Sequence, residues 1–261
     1  MSKKVDYRDE QILKALHRSG EISSRELSEE LSIPLINIRY SLTRLSGKGL
    51  VRKTHGGAKV IEPLLYRPFR HEGVFQSREV KCAEQKQRIG YAAAALVREG
   101  ETICMNAGTT TTQIGRALRS RRNIHVVTNA VNIAMELSNQ AAITTTVVGG
   151  TLPWHHTFAI AGSVAIDFMG GMQFDKLFLG VGGLDSRHGV TMTEYEEASV
   201  ARAMIKQSAQ VIAVADSSKV GAVLASRVCE ISEVHRLVTD TGLSHSHFSV
   251  LTASGVDVLM V

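Results

Sequence analysis

From about residue 81 onward, short β-branched runs alternate with helical stretches. That alternation constrains the fold of the 261-residue chain more than any other feature. Thr102–Met105, Ile124–Thr128, Ile143–Val148, Lys176–Val181, Gln210–Ala215, Arg236–Thr239 and Val256–Val261 read as strands. Cys82–Arg98, Thr110–Leu118, Val131–Leu137, Val164–Met169, Glu196–Gln207 and Phe248–Ala253 read as helices between them. Strands that alternate with helices predict an α/β domain, a mainly parallel sheet covered by helices. In such sheets ligands bind beyond the carboxyl ends of the strands.

Those strand ends carry polar or glycine clusters. The first is Asn106-Ala107-Gly108-Thr109-Thr110-Thr111-Thr112. A glycine followed by hydroxyls, between a strand and a helix, presents backbone N–H groups and hydroxyls to an anion. The plainer reading is ordinary helix capping by Thr109. It is neither a Walker loop nor a GxGxxG turn. Thr128-Asn129, Gly149-Gly150, Gly180 to Asp185 and Asp216 to Lys219 follow at later strand ends. Lys219 is placed to neutralise a phosphate as a point charge, or else is a surface lysine in a turn.

The first sixty residues differ in charge. They hold 12 Lys+Arg against 7 Asp+Glu, whereas the remainder holds 18 of each, so the whole net charge of +5 lies in the first quarter. Asp6–Arg18 reads as a helix, and Ser24–Leu31 as a second helix opened by the Ser23/Glu26 capping box. Pro34 opens a third, with Leu35, Ile38, Leu42 and Leu45 on one face. A hairpin through Leu50–Arg52 then turns at Gly56-Gly57. From Leu35 to Val60 there are six cations and no carboxylate. This is the pattern of a winged helix-turn-helix over residues 1–60 that binds a DNA duplex. Asn37, Arg39, Tyr40, Ser41 and Arg44 are expected in the major groove, and Arg52, Lys53 and His55 on the backbone or minor groove. A three-helix interaction module, or a basic face that is merely solvated, is the plainer alternative.

Other features set bounds. Cys82, Cys104 and Cys229 have no close spacing and read as reduced thiols, with no metal set among them. His155-His156 and the His245/His247 pair read as loop residues rather than ligands. No cofactor motif is present. The polar N-terminus and the absence of a long apolar run predict a cytoplasmic, nucleoid-associated protein without a membrane segment. Residues 61–80, with Pro63 and Pro68, read as a connector.

Together these motifs resemble the DeoR family of bacterial sugar-metabolism repressors. Asn37-Ile38-Arg39-Tyr40-Ser41-Leu42, then Gly49, Arg52 and His55-Gly56-Gly57-Ala58, follow that family's recognition helix and wing. Met105 to Thr110, Thr128-Asn129, Gly149-Gly150, Phe174-Asp175-Lys176 and Asp216 to Lys219 follow its sensor domain. The resemblance implies a sensor domain, residues 81–261, with the fold of ribose-5-phosphate isomerase. It also implies a phosphorylated sugar or related metabolite as effector, and the charge lost at Asn106 and Gly182 extends that expectation to a sugar-acid phosphate or a bisphosphate. The residues expected to bind it are Asn106, Gly108, Thr109, Thr110, Thr111, Asn129, Gly149, Gly150, Asp185 and Lys219. The departures at Asn37, Tyr40 and Ser41 fall on the face expected to meet DNA. Asn106 and Gly182 stand where the family carries aspartates, so the cleft is expected to repel anions less. The expected function is a DNA-binding repressor of a carbohydrate-metabolism operon, a homodimer or homotetramer. The rival class is a sugar-phosphate isomerase using Asp185 and the carboxylates Glu194, Glu196 and Glu197. Against it, that acidic cluster suits the dipole of a helix start, and no catalytic set is assigned. An architectural DNA binder without a ligand is the third class.

Overall fold

The computed structural model describes residues 7–19, 21–47, 50–60, 74–153 and 158–261. Most of the 61–80 connector, Lys48, Gly49 and the His155-His156 pair lie outside them. The chain divides into two compact units, Met1–Glu72 and Gly73–Val261.

The first unit runs α1 (Tyr7–Ser19), β1 (Glu21–Ser23), α2 (Ser24–Leu31), α3 (Leu35–Gly47), β2 (Val51–Thr54) and β3 (Gly57–Val60). The Ser23/Glu26 box forms, with Glu26 N donating to Ser23 Oγ at 3.1 Å and Ser23 N to Glu26 Oε2 at 2.9 Å. It fixes the entry to α2. Pro34 sits one residue before α3, where its carbonyl accepts from the Asn37 and Ile38 amides. Ile12 and Leu16 of α1 and Leu27 of α2 pack with Ile38, Leu42 and Leu45 of α3 and with Val51 of β2. Strand β1 was not anticipated. It is three residues long and pairs antiparallel with β3, giving the sheet order β1-β3-β2.

In the second unit, α4 (Val74–Val80) lies within the stretch read as a connector. It is followed by α5 (Ala83–Ala95), β4 (Thr102–Met105), α6 (Thr109–Ala117), β5 (Ile124–Thr128), α7 (Val131–Leu137) and β6 (Ile143–Val147). Next come α8 (Ser163–Gly170), β7 (Lys176–Gly180), β8 (Gly183–Asp185), β9 (Gly189–Met192) and α9 (Tyr195–Lys206). The chain ends with β10 (Val211–Val214), β11 (Ser226–Cys229), β12 (Arg236–Thr239), α10 (His245–Ala253) and β13 (Asp257–Met260). Seven strands form a sheet in the order β13-β12-β10-β7-β4-β5-β6, every pair parallel.

Successive strand residues point to opposite faces. Ile103, Met105, Phe178 and Ile212 pack with Ile89 of α5, Ile114 of α6 and Ile133 of α7. Cys104, Leu177, Leu179 and Ala213 pack with Ala165 of α8, Met204 of α9 and Leu251 of α10. The sheet is therefore covered on both sides.

Chain order reverses between β4 and β7: β5 and β6 are added on one side of that pair, and β10, β12 and β13 on the other. Such a reversal opens a crevice at the strand ends. A second, antiparallel sheet, β11-β9-β8, lies beyond the end of β7. All three cysteines are free. Burial raises the Cys104 and Cys229 thiols. Among the described residues no helix is long and apolar enough to cross a membrane, and no His/Cys/Asp/Glu group could hold a metal ion.

Candidate functional site

The crevice at the chain reversal is a cleft of about 280 Å³. Gly108, Thr109 and Thr110 line it from the start of α6, Gly180 to Gly182 from the end of β7, and Asp216, Ser218 and Lys219 from the end of β10. Helix α6 starts at Thr109 with Gly108 as its cap residue, so no side chain caps it. Thr109 is thus not the cap that one reading expected. The first N–H groups of α6 have no intrahelical acceptor, and with the helix dipole they favour an anion. Thr111 and Thr112 turn back instead, their hydroxyls donating to the Gly108 carbonyl at 3.0 and 2.7 Å.

Four cations line the cleft: Arg78, Lys81, Lys86 and Lys219. Lys86 is 4% exposed. Its Nζ donates to the carbonyls of Lys81, at 2.7 Å, and Arg78, which tie the end of α4 to the cleft wall. Burial pulls the Lys86 ammonium below the usual lysine range, and Asp216 opposes that shift. Three carboxylates, Glu194, Glu197 and Asp216, complete the charged lining. Asp216 is buried and accepts from Ser218 N at 3.2 Å and from Ser218 Oγ.

The turn from Asp216 to Lys219 rests on a residue that sequence reasoning missed. Asp240, after β12, accepts from Ser217 N at 2.6 Å, Gly242 N at 2.8 Å and Ser217 Oγ at 3.0 Å. Burial alone would raise its carboxyl, but these three donors outweigh it and hold it below the ordinary aspartate range. No local motif announced its link to the Asp216–Lys219 turn, because Ser217 lies 23 residues from Asp240. Lys86, Arg78 and Lys81 were missed because they precede the first strand of the sheet.

The other expected effector residues sort differently. Asn106 is 5% exposed. Its amide bridges the Gly180 backbone, donating to the carbonyl at 2.9 Å and accepting from the N–H at 2.7 Å, so it joins the ends of β4 and β7. Thr111 is fully buried beneath the cleft. Neither Asn106 nor Thr111 lines the cleft, and four more of the expected residues also lie outside its lining. Asn129 is buried and donates to the Ile160 carbonyl. Gly149 and Gly150 sit past β6, where a side chain on Gly150 would meet the Ala161 carbonyl at 2.7 Å. Asp185 closes its own turn, accepting from the N–H groups of Arg187 and His188 and pairing with the His188 ring. Each belongs to a strand end, but only the ends of β4, β7 and β10 converge. Gly182 does line the cleft, and a Cβ there would lie 2.5 Å from Leu224 Cδ1 and 3.0 Å from the Thr191 carbonyl. An aspartate at this position needs those neighbours moved.

On the first unit, the outer face of α3 carries Ile36, Arg39, Tyr40 and Thr43, all exposed, with Asn37 half-buried at its margin. Arg52, Lys53, His55 and Lys59 of the hairpin are exposed too. Arg52 and Lys59 are paired across the hairpin, an arrangement of like charges that is unfavourable without a counter-ion. Two of the residues expected at DNA are engaged inside the first unit. Ser41 is 2% exposed because it lies on the buried side of α3, between Ile38 and Leu45. Arg44 forms a two-pronged pair with Asp9 of α1, at 2.9 and 2.6 Å, and the Asp9 side chain is completely buried. Its guanidinium fastens α3 to α1.

Residues 8–63 match the DeoR-like helix-turn-helix domain, and residues 81–241 the DeoR C terminal sensor domain. The chain belongs to the DeoR family. It is 30% identical to the HTH-type transcriptional repressor GlcR of Bacillus subtilis, over 95% of this chain and 93% of that protein. It is 30% identical to the glycerol-3-phosphate regulon repressor of Escherichia coli, over 92% and 93%. Against the transcriptional repressor AccR of Agrobacterium fabrum the identity is 32%, over 90% and 89%. Among solved structures it is similar to ribose 5-phosphate isomerase A of Methanocaldococcus jannaschii. The TM-score there is 0.40 at 14% identity, covering 53% of this chain and 55% of that one. As a DeoR-family chain of this coverage it is a DNA-binding transcriptional regulator and not an enzyme.

Proposed function

We propose that the chain is a repressor of a carbohydrate-metabolism operon, governed by a phosphorylated sugar or sugar-acid metabolite held in the cleft of the second unit. The observation that carries this is the uncapped start of α6, facing Lys219, Lys86, Arg78 and Lys81 across one small cleft. Its volume suits a metabolite rather than a polymer. The name of the glycerol-3-phosphate regulon repressor points to the same ligand chemistry.

Four cations and three carboxylates leave the lining one positive charge in excess. Together with the uncapped helix this favours a ligand with two anionic groups, such as a sugar-acid phosphate or a bisphosphate. An effector shifts an equilibrium only by binding its two states unequally. Helix α4 suits that task, because Arg78 and Lys81 face the cleft and α4 is the first described element after residues 61–73.

A single winged helix reads too few base pairs for genomic specificity, so the repressor acts as a homodimer or homotetramer on repeated half-sites. A thermal-shift screen of phosphorylated sugars, sugar acids and sugar-acid phosphates on the full chain tests the cleft. Stabilisation by a neutral, unphosphorylated sugar in preference to the anions would contradict the reading. Arg39→Ala should weaken operator binding by roughly 1–3 kcal/mol if Arg39 reads a guanine. Equal losses on operator and random duplex would make it a phosphate contact instead.

A further inference from the structure

The outer face of α3 carries an apolar pair that the charge pattern hides. Ile36 is 59% exposed and Tyr40 is 72% exposed. They stand four residues apart, one turn along the same face. The buried side of this helix holds Ile38, Leu42 and Leu45, so neither residue of the pair is needed for the core. Asn37, Arg39 and Thr43 flank the pair along the helix. Arg39 lies between them in sequence, and Thr43 continues the row. Lys53 of β2 donates to Thr43 Oγ1 at 3.1 Å, which draws a hairpin cation onto the same side of α3. Thr43 Oγ1 itself donates to the Arg39 carbonyl at 2.9 Å.

Two large apolar side chains held in water inside a basic frame are costly unless something covers them. The frame, with no carboxylate from Leu35 to Val60, selects a polyanion as the cover. In the major groove of a duplex the apolar feature at a base edge is the C5-methyl group of thymine. We infer that Ile36 and Tyr40 are specificity-determining residues that read thymine methyl groups at two neighbouring positions of each operator half-site. This rests on the operator-binding function proposed above and adds to it a base preference with named readers. Arg39 and Lys53 then set register by contacting guanine or phosphate on either side.

The test uses the full-length protein and duplexes enriched by it from a randomised library. In the enriched sequence each thymine is replaced singly by deoxyuridine, which deletes the methyl group and keeps every hydrogen-bonding atom. Binding is followed by fluorescence anisotropy. At the two positions in question, loss of the methyl should weaken binding about fourfold, the factor that corresponds to ~0.8 kcal/mol per buried carbon. Ile36→Ala should bind the thymine and deoxyuridine duplexes equally at one of these positions, and Tyr40→Ala at the other. Tyr40→Phe should keep the difference, because the ring and not the hydroxyl makes the contact. Both side chains are exposed, so the variants should fold, and unchanged thermal denaturation verifies that.

The inference is overturned if no thymine responds to deoxyuridine, or if the responses persist in both alanine variants. It is also overturned if Ile36→Ala alters self-association in sedimentation while leaving DNA affinity unchanged, which would assign the pair to a protein contact. Failure to enrich any sequence from the library would instead strike at the operator-binding function on which the inference rests.

Discussion

The outer face of the first unit and the cleft of the second both gather cations, but they hold them in opposite ways. Arg39, Arg52, Lys53 and Lys59 stand in water on a surface whose stretch of chain contains no carboxylate. In the cleft, Lys86 is buried and spent on two carbonyls, Asp216 is held by Ser218, and Asp240 braces the turn that carries Lys219. A polyanion brings many charges along a groove and releases counter-ions, so its reader needs exposed cations more than rigid ones. A small anion offers few contacts, so its site must be organised before binding. The two surfaces should therefore respond differently to the same perturbations.

Salt separates them most. Four exposed cations per protomer, in a dimer, amount to roughly eight phosphate contacts. Raising salt from about 50 to about 200 mM should weaken operator binding by roughly ten-thousandfold. Anion binding in the cleft, with few and partly desolvated charges, should weaken by less than about tenfold. Titrations of operator and effector across the same salt series measure both slopes, and equal slopes would erase the distinction.

The next largest effect lies in what Arg44 does. Arg44→Ala removes the guanidinium that pairs with the Asp9 carboxylate, whose side chain is fully buried. The first unit should lose about 3 kcal/mol of stability, toward the lower end for a broken buried pair because Arg44 itself is half exposed. Arg39→Ala should change stability by less than about 0.5 kcal/mol, as an exposed substitution. Chemical denaturation of the two variants ranks them. Equal stabilities would return Arg44 to the DNA-facing set.

That pair also marks where reading the sequence stops. The capping box at Ser23, the strands of the parallel sheet and the polar clusters at their ends were legible because each is written in adjacent residues. The Asp9–Arg44 pair joins positions 35 apart, and nothing in either neighbourhood names the other. Ser41 was misjudged because a small polar residue was assigned to the polar face, whereas the helical period puts it beside Leu42 and Leu45 on the buried one. Strands β8, β9 and β11 have three or four residues each and no alternation, so only pairing reveals them. Strand ends were identifiable one by one. Which of them converge follows from sheet order, and sheet order brings β4, β7 and β10 together while leaving β5 and β6 to one side.

Lys219 tests the cleft directly. Lys219→Met keeps the length of the side chain and removes its charge. It should lower affinity for a phosphorylated ligand by roughly 2 kcal/mol, the scale of a hydrogen bond to a charged group. Operator affinity without ligand should be unchanged, because this residue belongs to the second unit. Calorimetry with the tightest ligand from the screen, beside anisotropy on operator DNA, reads the two quantities. A loss confined to the operator would reverse the roles given to the two surfaces.

The smallest effect concerns the brace under Lys219. In the folded chain, hydrogen bonds hold the Asp240 carboxyl below its ordinary value, so folding favours the ionised form. A depressed carboxyl contributes stability that is present above its unfolded pKa of about 3.9 and is lost as pH falls through the lower folded value. The second unit should therefore lose stability on acidification below about pH 4, and Asp240 should account for part of that slope. Asp240→Asn sets an amide against donors that now all find a carboxylate, at a cost of about 1 kcal/mol near neutral pH. In the variant the acid-side loss should be shallower, since the group that protonates is gone. Urea denaturation at neutral pH and near pH 3.5 measures both. An acid slope identical in the two proteins would mean that the turn carrying Lys219 is held by something other than this carboxylate.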